Sequence, residues 1–188
     1  MAFTSKVVFV LLFSSLAWCQ DSEQESEAVE PIVKGLKELA TLSKNLATKV
    51  NGFAMGNFKS EGPNVIQGIE NIGKKFYDLD GDLLALLNAP GGVSKLSDPK
   101  DKLLKAYKKL VVAVQELRDA LIAQYTGLED FARGLRIDLE VLDDHAIEYS
   151  SDLTELCPLS QAIEVHLQAY YLGEAIGDVY KKYNNEPE

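Results

Sequence analysis

The chain is short of almost everything from which an active site is built. It has two cysteines and two histidines in 188 residues, and it contains neither His-Glu-x-x-His nor Gly-x-Ser-x-Gly, so no motif pairs a nucleophile with a base or a metal. We therefore expect no enzymatic activity, no metal and no cofactor. Basic charge is also scarce: 19 Lys and Arg face 29 Asp and Glu, for a formal net charge of −10. A surplus of that sign repels phosphate backbones and anionic membrane surfaces, which argues against a nucleic-acid partner. There is no Asn-x-Ser/Thr sequon. No apolar run is long enough to span a bilayer, so no transmembrane segment is expected.

The longest apolar run, Val7 to Leu16, follows Lys6 and leads to the small residues Ala17 and Cys19. This is the layout of a secretory signal peptide at residues 1–19, cleaved after Cys19. The competing reading, a lipoprotein box at Leu16 to Cys19, places the bulky Trp18 before the cysteine that would be lipidated. Cleavage leaves Cys157 as the mature chain's cysteine, so an internal disulfide is excluded and the hydrophobic core must carry stability. About 170 residues remain, enough for one domain. Residues 20–28 are acidic and Ser-rich and are expected to be disordered. The polar tail at 184–188 lacks the apolar stretch of a lipid-anchor signal, which favours a released, extracellular protein.

What the chain does have is one pattern, five times over. Apolar residues recur at alternating spacings of four and three, and Gly or Pro then interrupts them. The first stripe is Ile32, Leu36, Leu39, Ser43, Leu46, Val50 and Phe53. The second is Val65, Ile69, Ile72, Phe76, Leu79, Leu83 and Leu86, on a helix starting near Pro63 and stopping at Asn88-Ala89-Pro90-Gly91-Gly92. The third, opened by Asp98-Pro99, carries Leu103, Tyr107, Leu110, Val114, Leu117 and Leu121. The fourth, from about Leu128 to Leu156, carries Phe131, Leu135, Leu142, Ala146, Tyr149 and Leu153. The fifth, after Pro158, carries Ile163, Leu167, Tyr170, Leu172, Ile176, Val179 and Tyr183. Strand-like alternation does not compete. The predicted fold over residues 29–183 is an all-α, antiparallel bundle of five long amphipathic helices, expected to be a monomer, with sequence neighbours side by side.

Two acidic clusters look like ligand sets at first sight. Asp78-Leu79-Asp80-Gly81-Asp82 begins like a calcium loop, but the sixth and twelfth positions hold Leu83 and Ala89 rather than Gly and Glu, and Leu79 and Leu83 belong to the core stripe. Asp143-Asp144-His145 with Glu148 has metal-like spacing, yet His166 has Ile163 three residues before it, where a di-metal bundle needs Glu. Both read as solvated helix faces.

The stripes themselves offer the other candidate. Five long helices around one axis are hard to fill, and an incompletely filled apolar interior is a site for a lipid chain. The residues expected to line it are Leu36, Val50, Phe53, Ile69, Phe76, Leu110, Phe131, Leu135, Tyr149 and Tyr170. The periodicity is the same for a filled core and a hollow one.

Three stretches carry a resemblance. The segment from Leu36 to Phe53, the Ile-rich second helix through Ile66, Ile69 and Ile72, and the Pro158-led helix closing on Ala175-Ile176-Gly177-Asp178-Val179-Tyr180-Lys181-Lys182-Tyr183 together resemble the fungal hydrophobic-surface-binding protein A and cell-wall galactomannoprotein family, over about Val29 to Tyr183. The resemblance implies a secreted or wall-associated, non-enzymatic helical domain that adsorbs to hydrophobic surfaces or holds a long-chain fatty acid in its bundle. Family members often add a Ser/Thr-rich tail and an anchor. This sequence shows neither, which favours the free form. The alternative is a secreted effector or structural interaction module with a fully packed core.

Overall fold

A computed structural model of the protein describes residues 29–54, 56–88 and 100–184. They form α1 (residues 29–51), α2 (Phe58–Leu87), α3 (Lys100–Ala123), the single turn α4 (Tyr125–Leu128), a 3-10 turn (Glu129–Phe131), α5 (Ala132–Leu156) and α6 (Leu159–Asn184). No strand occurs among the described residues. The expected signal peptide, the acidic segment 20–28, the Pro90-Gly91-Gly92 break and residues 185–188 lie outside them.

Besides the end of α1 at residue 51, which leaves Phe53 just beyond the helix, two boundaries differ from the sequence reading. α2 begins at Phe58 and takes Pro63 inside it, although proline removes one backbone hydrogen bond there. The additional turn is held by burial, because the Phe58 ring lies on Gly127 and the Phe131 ring lies on Gly62, in each case where a side chain would collide. The second difference is in the fourth helix, where Leu128 closes α4 and a 3-10 turn runs to Phe131 before α5 starts. The acidic run from Asp78 to Asp82 is continuous helix within α2.

Consecutive long helices alternate in direction, as expected of an antiparallel bundle, but contact partners are not always sequence neighbours. Gly35 meets Leu79, and Leu46 meets Gly68, so α1 and α2 run oppositely. Contacts between α2 and α5 advance together, from Gly62 with Phe131 to Phe76 with Tyr149, so that pair is parallel. α5 and α6 oppose one another, with Arg136 donating to Asn184 at 2.7 Å near one end. α6 and α3 run in parallel, linked by Lys108–Glu164 at 2.8 Å, Arg118–Asp178 at 3.6 Å and Tyr183 donating to the Leu121 carbonyl at 2.9 Å. Lys44 approaches Glu116 at 4.0 Å and closes the circuit between α1 and α3. The order around the axis is α1, α2, α5, α6, α3. An odd ring cannot alternate throughout, and the chain accepts three parallel contacts.

Inside the ring the stripes of α1, α2, α3 and α5 merge into one core. Phe76 meets Tyr149 edge-on at 5.9 Å between ring centroids, and Tyr107 approaches Tyr149 from α3 at 6.2 Å. The Ser150 hydroxyl donates to the Ala146 carbonyl at 2.5 Å and lies 2.6 Å from the Tyr107 hydroxyl. Its one proton being used, Tyr107 is the donor in that contact. Burial pushes the Tyr107 phenol up to about 12, which keeps it protonated for this role.

α6 buries the second half of its expected stripe, Leu172, Ile176, Val179 and Tyr183, but not the first. Its buried side chains are Val165, Leu172, Ala175, Ile176, Val179 and Tyr183, whereas Ile163 (70%), Leu167 (43%) and Tyr170 (59%) face outward. The first half of this helix has apolar residues on more than one face, so periodicity does not select the inner one. Contact with both α3 and α5 selects it.

Candidate functional site

Seven of the ten expected lining residues, Leu36, Val50, Ile69, Phe76, Leu110, Leu135 and Tyr149, are fully buried in the core, and Phe53 and Phe131 are partly buried against it. Phe53 meets Phe58 edge-on at 5.7 Å, so with Phe131 on Gly62 the α2 N-terminal end of the bundle is closed by aromatic rings. Tyr170 leaves the set. It stands on the outer face of α6, where its hydroxyl donates to Glu174 at 2.7 Å.

The apolar interior holds two hydroxyl groups without a hydrogen-bond partner among the described residues, Ser43 Oγ on α1 and Tyr149 on α5. Other hydroxyls on these helices bond back one turn, as Thr41 does to Lys37 and Thr154 to Ser150. Desolvation, followed by the proximity of Tyr107 and Asp80, drives the Tyr149 phenol well above its ordinary value. It is a neutral donor at any physiological pH. A serine within an otherwise apolar stripe was the sequence signal for the first of these groups.

Concavities open on the surface between described helices. A groove of about 600 Å³ lies between α1 and α3, with lysines on its walls. A smaller cleft of about 280 Å³ lies between α5 and α6, between Ile147 and Ser150 on one side and His166 and Gly173 on the other. Neither was expected, because a sequence does not state which helix faces meet. The outer face of α6 adds a third feature. Leu159 (81% exposed), Ile163, Leu167 and Tyr170 follow one another at spacings of four, four and three, an apolar stripe turned to solvent.

Among the described residues no three His, Cys, Asp or Glu side chains gather as a metal set, and no helix is long and apolar enough to cross a membrane. His145 Nδ1 lies 3.7 Å from Glu148 and its ring packs beside Tyr77. Asp80, Asp138 and Asp143 each have one buried carboxylate oxygen that accepts no hydrogen bond from the described residues, and desolvation raises all three above the usual aspartate value. At Asp80 the charges of Asp152 and Glu148 add to the effect and His145 opposes it.

A carboxyl raised in the folded state binds its proton more tightly there. Its contribution to stability is full below the ordinary aspartate value and is lost as pH rises through the raised one. At neutral pH the ionised Asp80 is therefore a net penalty. Asp80→Asn is expected to raise Tm at pH 7 by on the order of 1–2 °C for a domain of this size, with the difference closing below the ordinary carboxylate range. A lower Tm at pH 7, read by thermal circular dichroism, would show that the carboxylate has a favourable partner.

No family model matches the chain, and no curated protein matches its sequence. Its fold is similar to that of ligand binding domain 1 of the Penicillium marneffei MP1 protein, whose structure is complexed with arachidonic acids. The two superpose with a TM-score of 0.70 over 83% of this chain and 98% of that one, at 14% sequence identity. At that identity it is the fold that is common to both.

Proposed function

We propose that the chain is a secreted, non-enzymatic protein of the fungal hydrophobic-surface-binding and galactomannoprotein type that carries a long-chain fatty acid between its helices. The observation that supports this reading most is the shared fold, since the similar domain is complexed with arachidonic acids and matches over nearly its whole length. The physical basis is the ring itself. Buried apolar faces of the five long helices meet around one axis, and each methylene of an acyl chain withdrawn from water contributes about 0.8 kcal/mol. The decisive experiment is organic extraction and mass spectrometry of the purified native protein, together with calorimetric titration of delipidated protein with oleate. Fatty acid in the extract and saturable uptake are expected. An extract free of lipid and no heat of binding would end this reading.

The outer face of α6 favours a second activity, adsorption to apolar surfaces without opening of the bundle. The stripe from Leu159 to Tyr170 is already exposed, and burying it gains about 25 cal/mol per Å². Ile163→Glu with Leu167→Glu is expected to reduce adsorption to hydrophobic beads several-fold, with oleate uptake and Tm unchanged. If beads capture the variant as well as the parent, helices must part to expose the inner stripes instead.

A further inference from the structure

In a chain where acidic side chains outnumber basic ones 29 to 19, five lysines converge on one groove. Lys37 and Lys44 of α1 and Lys105, Lys108 and Lys109 of α3 line it, and Glu116 is the one carboxylate among its lining residues. The spacing accounts for the convergence. Residues seven apart on α1, and three and four apart on α3, lie on single helix faces, and the α1–α3 contact turns those faces toward each other. Small side chains at Ala40 and Ala113 hold the groove open, and Val112, 53% exposed, lies between the lysines as an apolar surface.

Among the described residues, most of this positive charge is uncompensated. Lys108 pairs with Glu164 at 2.8 Å, and Lys44 reaches Glu116 only at 4.0 Å. Lys37, Lys105 and Lys109 make no ion pair among the described residues. Like charges at spacing four, as at Lys105 and Lys109, destabilise a helix unless something neutralises them. The groove volume, about 600 Å³, lies within the ~300–1,000 Å³ range of small-molecule sites. The net charge of −10 opposes approach to an anionic bilayer, so the fitting occupant is a single anionic amphiphile.

We propose that the α1–α3 groove binds the ionised carboxylate end of a long-chain fatty acid, with Lys37, Lys105 and Lys109 supplying the charge and Ala40, Val112 and Ala113 the apolar contact. The inference rests on the reading of the chain as a fatty-acid carrier and narrows it to acids over neutral lipids of equal length.

The test uses delipidated full-length mature protein with oleate and oleyl alcohol as probes, titrated at low and high salt. Lys105→Glu with Lys109→Glu is expected to weaken oleate binding by about tenfold or more, and the milder Lys105→Gln with Lys109→Gln by less, while oleyl alcohol binding stays constant. Ala113→Phe, which fills the groove, should weaken both probes. Lys59→Glu with Lys181→Glu changes the net charge equally far from the groove and should leave oleate binding within about twofold of wild type. Higher salt should weaken oleate alone. Thermal circular dichroism confirms that each variant is folded, and the glutamine pair carries the test if the glutamate pair is not. Wild type that binds oleate while the groove variants bind it equally well overturns the groove and leaves the carrier reading standing. Wild type that binds neither probe overturns both.

Discussion

Phe76→Ala should destabilise the protein by about 3–5 kcal/mol, the usual range for removing a buried aromatic ring. Phe76 has no exposed surface and meets the Tyr149 ring edge-on at 5.9 Å, so truncation removes both the transfer free energy and a ring pair. Neighbouring helices cannot collapse into the space freely, because they are linked to one another around the ring by side-chain contacts such as Tyr183 to Leu121. The loss would be roughly a fifth or more of the stability of a typical domain, lowering Tm by roughly 6–20 °C. Urea unfolding with an unchanged m-value measures it. A loss under about 1 kcal/mol would mean that the space around the ring is already empty in solution. Phe131→Ala at the end of the bundle, where the ring is only partly buried, should lose less and alter lipid uptake more.

The second prediction has the opposite sign. Tyr149 is fully buried and its hydroxyl has no partner among the described residues, so the group loses its hydration on folding without compensation from them. Tyr149→Phe keeps the ring, its contacts with Phe76 and Tyr107, and its volume, and removes only the unpartnered oxygen. Stabilisation of the ligand-free protein by about 1–3 kcal/mol is expected, the range for an unsatisfied buried polar group. Tyr107→Phe is the internal contrast. That hydroxyl donates to Ser150, so the same chemical change should destabilise by about 1 kcal/mol. If Tyr149→Phe were as destabilising as Tyr107→Phe, the Tyr149 hydroxyl would hold a bond in solution, and an internal water or ligand would be its partner.

Four of the five stripes could be read directly. Leu36, Val50, Ile69, Phe76, Leu110, Leu135 and Tyr149 are where their spacing puts them, because a helix with one apolar face has one way to bury it. The fifth stripe contained its own warning. From Tyr170 to Leu172 is a step of two residues, about 200° around a helix, so the two halves of that stripe cannot share a face. The half containing Ile163, Leu167 and Tyr170 proved to be the outer one. Neither the extension of α2 past Pro63 nor the lysine groove could be read from spacing alone. The first depends on Phe131 and Gly127, more than 60 residues away in the chain, and the second on α3 meeting α1.

Periodicity records how each helix divides its own residues between water and a core. That local partition determined the all-α class and the five long helices, the inward faces of α1, α2, α3 and α5, and the alternation of direction along the chain. It carries no information on which helix lies beside which. The ring order, the three parallel contacts, the inner face of the first half of α6 and the convergence of five lysines were decided only by tertiary structure, because side chains distant in sequence, such as Phe58 on Gly127 and Tyr183 on Leu121, select among arrangements that bury the same stripes equally well.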